Sequence, residues 1–520
     1  MITGVASRLK SIKPKVLVFS HICSPQFVTG AEKLLLFMLR EMLPSFSCTL
    51  IVPNEGIIAE QARKLGIRVI VQNIPLVVSL YLALSHMNDE VSKNTQGPEW
   101  AELLFLIHRE RPDAIITNTC VHPLPAMAAK SLGVPVIWTV MEALRETPYT
   151  SMAVAIFEQY ADYVIGISEA TLASLRTPVL LPKTTLIPPS WDHAELRPDT
   201  WTEQRHLRRS RLGISEGHKL IGYISSSIFE AKGLEHFMQM AVPVAERFPQ
   251  AMFLIVGNPV DSGYFERCLD HARAKNVLER FRWIRFEEQV ETIYPAMDIL
   301  VVPSLTVEGF GMTALEGMVF GKPVVVYGSG GLTEIGAATG NMAYVVPVGE
   351  TDGLFGKVSE LLGDEALFLS IGARNAQMSI AAFGVDVYRK RLRKFIESLK
   401  LQGYNPPRIV RGSTPNVYLF ENGVLRPFNS ERAFLLKGYS FDQVYQTMDA
   451  FIAAFPHGAP IGKLLHRAAR GKRSKLRKGS RTRRRRLSAK RSSRRVARRI
   501  TRSSPGRKQA GHKRAGRKSR

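Results

Sequence analysis

The sequence predicts an α/β protein built on two doubly wound parallel sheets. Short apolar runs recur from Lys15 to Val348, and helical patterns stand between most of them. Loops rich in Gly, Ser, Thr and Pro follow many of the runs, where an open parallel sheet places its ligand loops. The runs fall into two consecutive series, which gives one sheet to residues 1–200 and another to 201–385.

The first series opens with KVLVFS (15–20), the loop HICSPQFVTG and a helical pattern from Ala31 to Leu43 on Leu34, Leu35, Met38, Leu39 and Met42. CTLIVPN (48–54), GIRVIVQ (66–72), DAIITN (113–118), PVIWTV (135–140), YVIGIS (163–168) and TTLIPP (184–189) follow. The segment from Pro75 to Glu110 reads as helical and less regular. The second series begins with KLIGYIS (219–225), after which Ser225 to Ser227 lead towards Lys232-Gly233 and a helix. AMFLIVG (251–257), FRWIRFEE (281–288), Ile299 to Val302, Val324 to Tyr327 and AYVVPVG (343–349) complete it, with helices to about Leu362 and from Asp386 to Leu401.

Two further segments close the chain. VYLFENGVLRPF (417–428) is a hairpin with Asn422-Gly423 at its turn. Ser430 then caps a helix ending at Gly438, and Phe441 to Phe455 reads as a second amphipathic helix, so residues 410–462 form a small α+β module. Its pattern is similar to short repeat-like modules of bacterial envelope and surface proteins, and its role is binding before catalysis. From 466 to 520 apolar periodicity is lost and the composition is that of a disordered polycation.

Charge separates these parts. The chain carries 71 Lys+Arg and 45 Asp+Glu, and residues 467–520 hold 26 of the basic residues and no acid. The remaining 45 basic residues balance the 45 acids, so the formal net charge of +26 belongs to the tail. Nucleic acid, anionic lipid headgroups and anionic wall polymers are the partners such a tail takes. It has no aromatic residue, which argues against base stacking. Cys23, Cys48, Cys120 and Cys268 form no C-x-x-C pair and read as reduced thiols. Neither a secretory h-region nor an apolar stretch of spanning length is apparent, so the expectation is a soluble, cytoplasmic protein, with the inner face of a membrane open to it as a peripheral site.

The chemistry concentrates between Asp298 and Ile335, in DILVVPSLTVEGFGMTALEGMVFGKPVVVYGSGGLTEI. Glu308 stands in a loop beside Gly309, Phe310 and Gly311, where glycines let backbone N–H groups approach a ligand. Glu316 follows with seven residues between them, inside the helix those amides begin. A helix N-terminus favours anionic or hydroxyl-rich ligands, and a carboxylate accepts paired sugar hydroxyls in one plane. The ordered string of Pro303-Ser304, Glu308-Gly-Phe-Gly, Leu315-Glu316-Gly-Met, Gly321-Lys-Pro-Val and Gly330-Gly331…Glu334 resembles the E-x7-E donor block of retaining glycosyltransferases of family four.

That resemblance implies the GT-B architecture, two Rossmann-like domains facing across a cleft, with a terminal helix (386–402) crossing back to the first. It implies retaining, same-face transfer from a nucleotide diphosphate sugar to an acceptor not named by the sequence. Glu308 would hold the sugar hydroxyls, Glu316 the ribose, and the departing diphosphate would take the acceptor proton. Lys232 matches the family's phosphate lysine, whereas Ser227 occupies the position of its arginine. Gly30, in Thr29-Gly30-Ala31-Glu32, stands at the turn that approaches the diphosphate or the acceptor. The resemblance thus implies Glu308 and Lys232 as the catalytic residues and Gly30, Ser227, Gly309, Phe310, Gly311 and Glu316 as the donor-binding set. No cofactor is implied beyond the nucleotide sugar, and no metal, since no D-x-D occurs. Met141 stands where the family places a histidine that reaches the transferred sugar, followed by Glu142. Either the donor lacks the group held there, or His122 or another residue substitutes, or activity is reduced. The competing reading is an inactive or weakly active transferase-fold protein that binds polyanions or the cell envelope. A sugar-phosphate synthase or phosphorylase-like enzyme would need a long inserted acceptor loop, which is not seen.

Overall fold

The computed structural model describes residues 13–462 apart from Phe27, Phe286 and Glu288; the basic segment 466–520 lies outside the described residues. In the first sheet, β1 (Lys15–Phe19), β2 (Ser47–Val52), β3 (Arg68–Val71), β4 (Ala114–Asn118), β5 (Val136–Val140), β6 (Tyr163–Gly166) and β7 (Thr184–Leu186) are all parallel. Their order is β3-β2-β1-β4-β5-β6-β7. Every residue of β4 and β5 is buried, which is why both read as continuous apolar runs: helices cover both faces of the sheet. Trp100, Leu103, Trp138 and Phe157 fill one side. Leu35, Met38, Leu39 and Ile58 fill the other.

The second sheet is six parallel strands in the order β10-β9-β8-β11-β12-β13. They are β8 (Lys219–Ile228), β9 (Ala251–Pro259), β10 (Phe281–Ile284), β11 (Ile299–Val302), β12 (Val324–Tyr327) and β13 (Val345–Val346). β8 runs three residues past the expected Ser225, because a bulge after Ile224 lets Ser227 and Ile228 pair with Asn258 and Pro259. A long helix, Glu365–Phe383, was not expected from the sequence; Asp364 caps it by accepting from the Leu367 N–H at 2.9 Å. The following helix, Val385–Ser398, packs Tyr388, Leu392 and Phe395 into the core of the first sheet. Arg389 fixes it there through Glu41, at 2.7 Å. The two sheets match the GT-B architecture.

The small module holds a four-stranded sheet in the order β16-β15-β14-β17, from β14 (Ile409–Arg411), β15 (Val417–Glu421), β16 (Val424–Pro427) and β17 (Tyr445–Gln446). The expected hairpin forms, with Asn422 and Gly423 both left-handed (φ 53° and 74°). Ser430 caps the helix Glu431–Leu436. The helix expected over Phe441–Phe455 does not form as one piece. Tyr445 and Gln446 instead pair in parallel with Val410 and Arg411, leaving only Asp449–Ala454 as α-helix. The module docks on the first domain: Trp100 Nε1 donates to the Ala450 carbonyl at 3.1 Å, and the Tyr445 hydroxyl to that of Lys130 at 2.8 Å. Phe420, Phe451 and Phe455 share that domain's core. Among the described residues no helix is long and apolar enough to cross a membrane.

Candidate functional site

The order of the second sheet reverses between β8 and β11, the kind of switch point at whose carboxyl ends an open parallel sheet forms its ligand crevice. The loop after β8 carries Lys232 and the loop after β11 carries Glu308. Lys232 Nζ lies 2.6 Å from Glu308 Oε1, and the Ser304 hydroxyl donates to the same oxygen at 2.7 Å. The loops are tied by Leu305 N–H donating to the Ala231 carbonyl at 2.9 Å. Gly233 is what lets them meet: its φ is +72°, and a Cβ there would run into the Pro303 carbonyl. The Lys-Gly pair thus joins a cation to the backbone bend that aims it.

Glu316 lies in the helix Met312–Val319. Its Oε2 accepts from the Tyr294 hydroxyl at 2.8 Å. Its Oε1 lies 3.5 Å from Lys33 Nζ, on the helix Gly30–Met42 of the first domain. Burial, with Glu316 adding to it, holds the Tyr294 hydroxyl well above the usual tyrosine range, so it remains a donor. A carboxylate offers about four acceptor positions, so two partners leave Glu316 capacity for a pair of ligand hydroxyls.

Several contacts close the two domains around this crevice. A Cβ on Gly309 would collide with the Met141 carbonyl, so the glycine permits the loop of Glu308 to lie directly on the first domain. The Ser168 hydroxyl donates to the Gly309 carbonyl. Glu334 accepts the backbone N–H groups of Glu169 and Ala170, each at 2.8 Å.

The structure therefore brings Lys232, Glu308 and Gly309 together, and links Glu316 to the helix that Gly30 begins. Gly311 is the N-cap of the Glu316 helix. Gly30 is exposed, and a Cβ there would meet no protein atom within 4 Å. The Phe310 side chain packs edge-on against Phe383 in the core, so only its backbone lies along the loop. Ser227 sits within β8, and among the described residues its side chain makes no hydrogen bond with Lys232 or Glu308. Sequence reasoning gave no role to Tyr294, Lys33 or Glu334. Glu334 stood inside the recognised string, but Tyr294 and Lys33 carried no local signal.

Across the cleft, Met141 is followed by Glu142, whose carboxylate accepts from the Cys120 N–H at 3.3 Å. Burial pushes this carboxyl up to about 7. His122 is buried, its ring edge-on to Phe19, and burial pushes its imidazole down to about 3. Among the described residues no group of three or more His, Cys, Asp or Glu side chains is placed to hold a metal ion.

Residues 204–383 match the family model of glycosyl transferases group 1. The matched segment contains Lys232, Ser304, Glu308, Glu316 and Glu334. Similar proteins include the 2-deoxystreptamine N-acetyl-D-glucosaminyltransferase of Streptomyces fradiae, 29% identical over 39% of this chain and 47% of that protein. The D-inositol 3-phosphate glycosyltransferase of Corynebacterium urealyticum is 29% identical over 41% of this chain and 51% of that one. The chain thus spans about half the length of these curated relatives. In fold it is similar to Anabaena HepE, solved with UDP-glucose, at a TM-score of 0.61 and 18% identity over 74% of this chain and 100% of that chain.

Proposed function

We propose that the protein is a retaining glycosyltransferase that moves a sugar from a nucleotide diphosphate sugar to an acceptor bound by the first domain. The observation that carries this is the Lys232–Glu308–Ser304 cluster at the switch point of the second sheet, beside Glu316. Both relatives above bear the names of glycosyltransferases, and the HepE structure contains UDP-glucose. In this reading Lys232 meets the diphosphate charge together with backbone amides, Glu316 takes the ribose hydroxyls and Glu308 the sugar hydroxyls. The acceptor oxygen bonds to the anomeric carbon on the face that the diphosphate leaves, and the departing diphosphate oxygen takes the acceptor proton. We assign no metal to this step because the chain lacks D-x-D and Lys232 supplies the cation. Incubation of the full chain with a panel of nucleotide sugars, following slow hydrolysis, tests the reading: release of nucleoside diphosphate supports it, and no turnover of any donor refutes it.

The second reading, a weakly active or inactive transferase fold that binds polyanions, draws on Met141, on Ser227 and on the 26 cations of residues 467–520. Under either reading we take the module 410–462, with its resemblance to bacterial surface repeats, as a binding appendage. We place the protein in the cytoplasm, with the inner membrane face as a peripheral site through the tail.

A further inference from the structure

The first domain reaches the donor carboxylates with a cation. Lys33 stands in the first turn of the helix Gly30–Met42, and that turn is firmly held. Fully buried Glu32 accepts the Ser24 N–H at 3.0 Å with one carboxylate oxygen and the Thr29 N–H at 2.8 Å with the other. The Thr29 hydroxyl accepts the Glu32 N–H in return at 3.3 Å, and the Lys33 N–H closes the turn on the Thr29 carbonyl at 3.0 Å. Glu32 faces inward and its neighbour faces out: the Lys33 side chain is 39% exposed, with Nζ 3.5 Å from Glu316 Oε1. Gly30 opens the same turn, and a Cβ there would meet no protein atom within 4 Å, so the space before it is clear.

The distances show that Lys33 is not committed to Glu316. Charge-assisted N–H···O bonds run to about 2.7–2.9 Å. Lys232 meets Glu308 at 2.6 Å, whereas Lys33 stops at 3.5 Å. Glu316 has a shorter partner in the Tyr294 hydroxyl, at 2.8 Å. An ion pair this long and open adds little to stability, so a strut between domains is a poor account of Lys33. Charge gives a better one. Lys232 and Lys33 balance Glu308 and Glu316, and a diphosphate adds negative charge that Lys232, engaged by Glu308, does not offset alone. All four side chains keep solvent access, between 14% and 39%, so a ligand can reach them. An ammonium has three N–H donors, which lets Lys33 face Glu316 and a phosphate oxygen together.

We propose that Lys33 is a second phosphate cation of the donor site, supplied by the first domain, and that it binds the diphosphate of the nucleotide sugar beside Glu316. The inference rests on the transferase reading above and goes beyond it by giving the first domain a part in holding the leaving group. As the bond from the anomeric carbon to the diphosphate oxygen breaks, its electron pair goes to that oxygen, and Lys33 and Lys232 stabilise the charge from two sides. Lys33 stays protonated throughout, and the acceptor proton still goes to the departing diphosphate. A nucleoside without phosphates has nothing to offer Lys33, which separates a phosphate ligand from a strut.

Calorimetry on the full chain tests it, with UDP and GDP as probes of the leaving group and uridine and guanosine as their phosphate-free counterparts. Lys33→Met should weaken whichever diphosphate the parent binds by about tenfold, the worth of a charge-assisted hydrogen bond. The matching nucleoside should bind unchanged or tighter, because Glu316 is released to the ribose. Lys33→Arg keeps the cation and should stay within about threefold of the parent. Unchanged diphosphate affinity in Lys33→Met, equal losses for nucleoside and diphosphate, or a loss in Lys33→Arg as large as in Lys33→Met would each overturn the assignment. A parent chain that binds a diphosphate while Lys33→Met binds it equally well refutes the role of Lys33 and leaves the transferase reading standing. A parent that binds neither UDP nor GDP overturns both.

Discussion

Glu308→Gln and Lys232→Met should change nucleoside diphosphate affinity in opposite directions. Without ligand, Lys232 Nζ and Glu308 Oε1 neutralise one another at 2.6 Å. A diphosphate arriving at Lys232 competes with that carboxylate. Charge-assisted hydrogen bonds are worth about 1.5–3 kcal/mol, so Lys232→Met should weaken UDP or GDP binding by roughly 10- to 150-fold. The side chains are 29% and 20% exposed, and an ion pair so open to water contributes only about 0–1 kcal/mol. Glu308→Gln therefore releases Lys232 and should leave UDP affinity unchanged or tighten it, by no more than about fivefold. The same substitution should weaken the cognate nucleotide sugar, which loses its hydroxyl acceptor. Calorimetry with the free nucleoside, the diphosphate and the nucleotide sugar separates the cases. Equal losses for diphosphate and nucleotide sugar in Glu308→Gln would refute the division of labour. Unchanged diphosphate affinity in Lys232→Met would move the phosphate site elsewhere, most plainly to the helix begun by Gly30.

Glu316→Ala should weaken diphosphate and nucleotide sugar alike, by about 1.5–3 kcal/mol, and calorimetry showing a loss confined to the nucleotide sugar would remove it from the ribose. Tyr294→Phe should produce a smaller loss of the same kind, of about 1 kcal/mol, with no loss if the hydroxyl serves only the fold. Glu142 titrates near 7 in the fold against an ordinary value near 4.5, so its contribution to stability is complete below about 4.5 and is lost as pH rises through about 7. The melting temperature of Glu142→Gln relative to the parent should therefore rise between pH 5 and 8; the opposing effects of His21 and His122 are common to both proteins and cancel. A chain ending at Leu465 should keep donor turnover and lose polyanion binding, for which ten tail cations on duplex DNA would give a log–log salt slope of about −9; DNA binding equal to the full chain would refute the anchor.

Both sheets could be read from the sequence because a strand covered on two faces must be apolar at nearly every position. β4 and β5 are such strands, and their runs are unmistakable. Where an element depends on a distant partner, the sequence misleads. Phe441 to Phe455 has helical periodicity, yet Tyr445 and Gln446 are captured as a strand by Val410 and Arg411, more than thirty positions away in the chain. The extension of β8 past Ser225 likewise depends on pairing with Asn258 and Pro259. Ser227, which the resemblance set at the position of the family's arginine, consequently stands within β8 and not in the loop that follows it.

The donor block divides in the same way, and the division explains its glycines. Glu308 and Glu316 are legible because their spacing is local, fixed by one loop and one helix. Tyr294, Lys33 and Glu334 acquire their partners only when strands and domains assemble: Lys33 is 283 positions from Glu316, and Glu334 is 164 from Ala170. No periodicity records such pairs. Glycine leaves a trace of them nonetheless. Gly233 yields to the Pro303 carbonyl and Gly309 to that of Met141, so each marks a place where two backbone segments approach more closely than a side chain permits. Gly30 is different, since no protein atom opposes a Cβ there. A glycine retained for packing should reject alanine through lost stability, whereas Gly30→Ala should fold normally and reveal its cost only when a ligand approaches that amide.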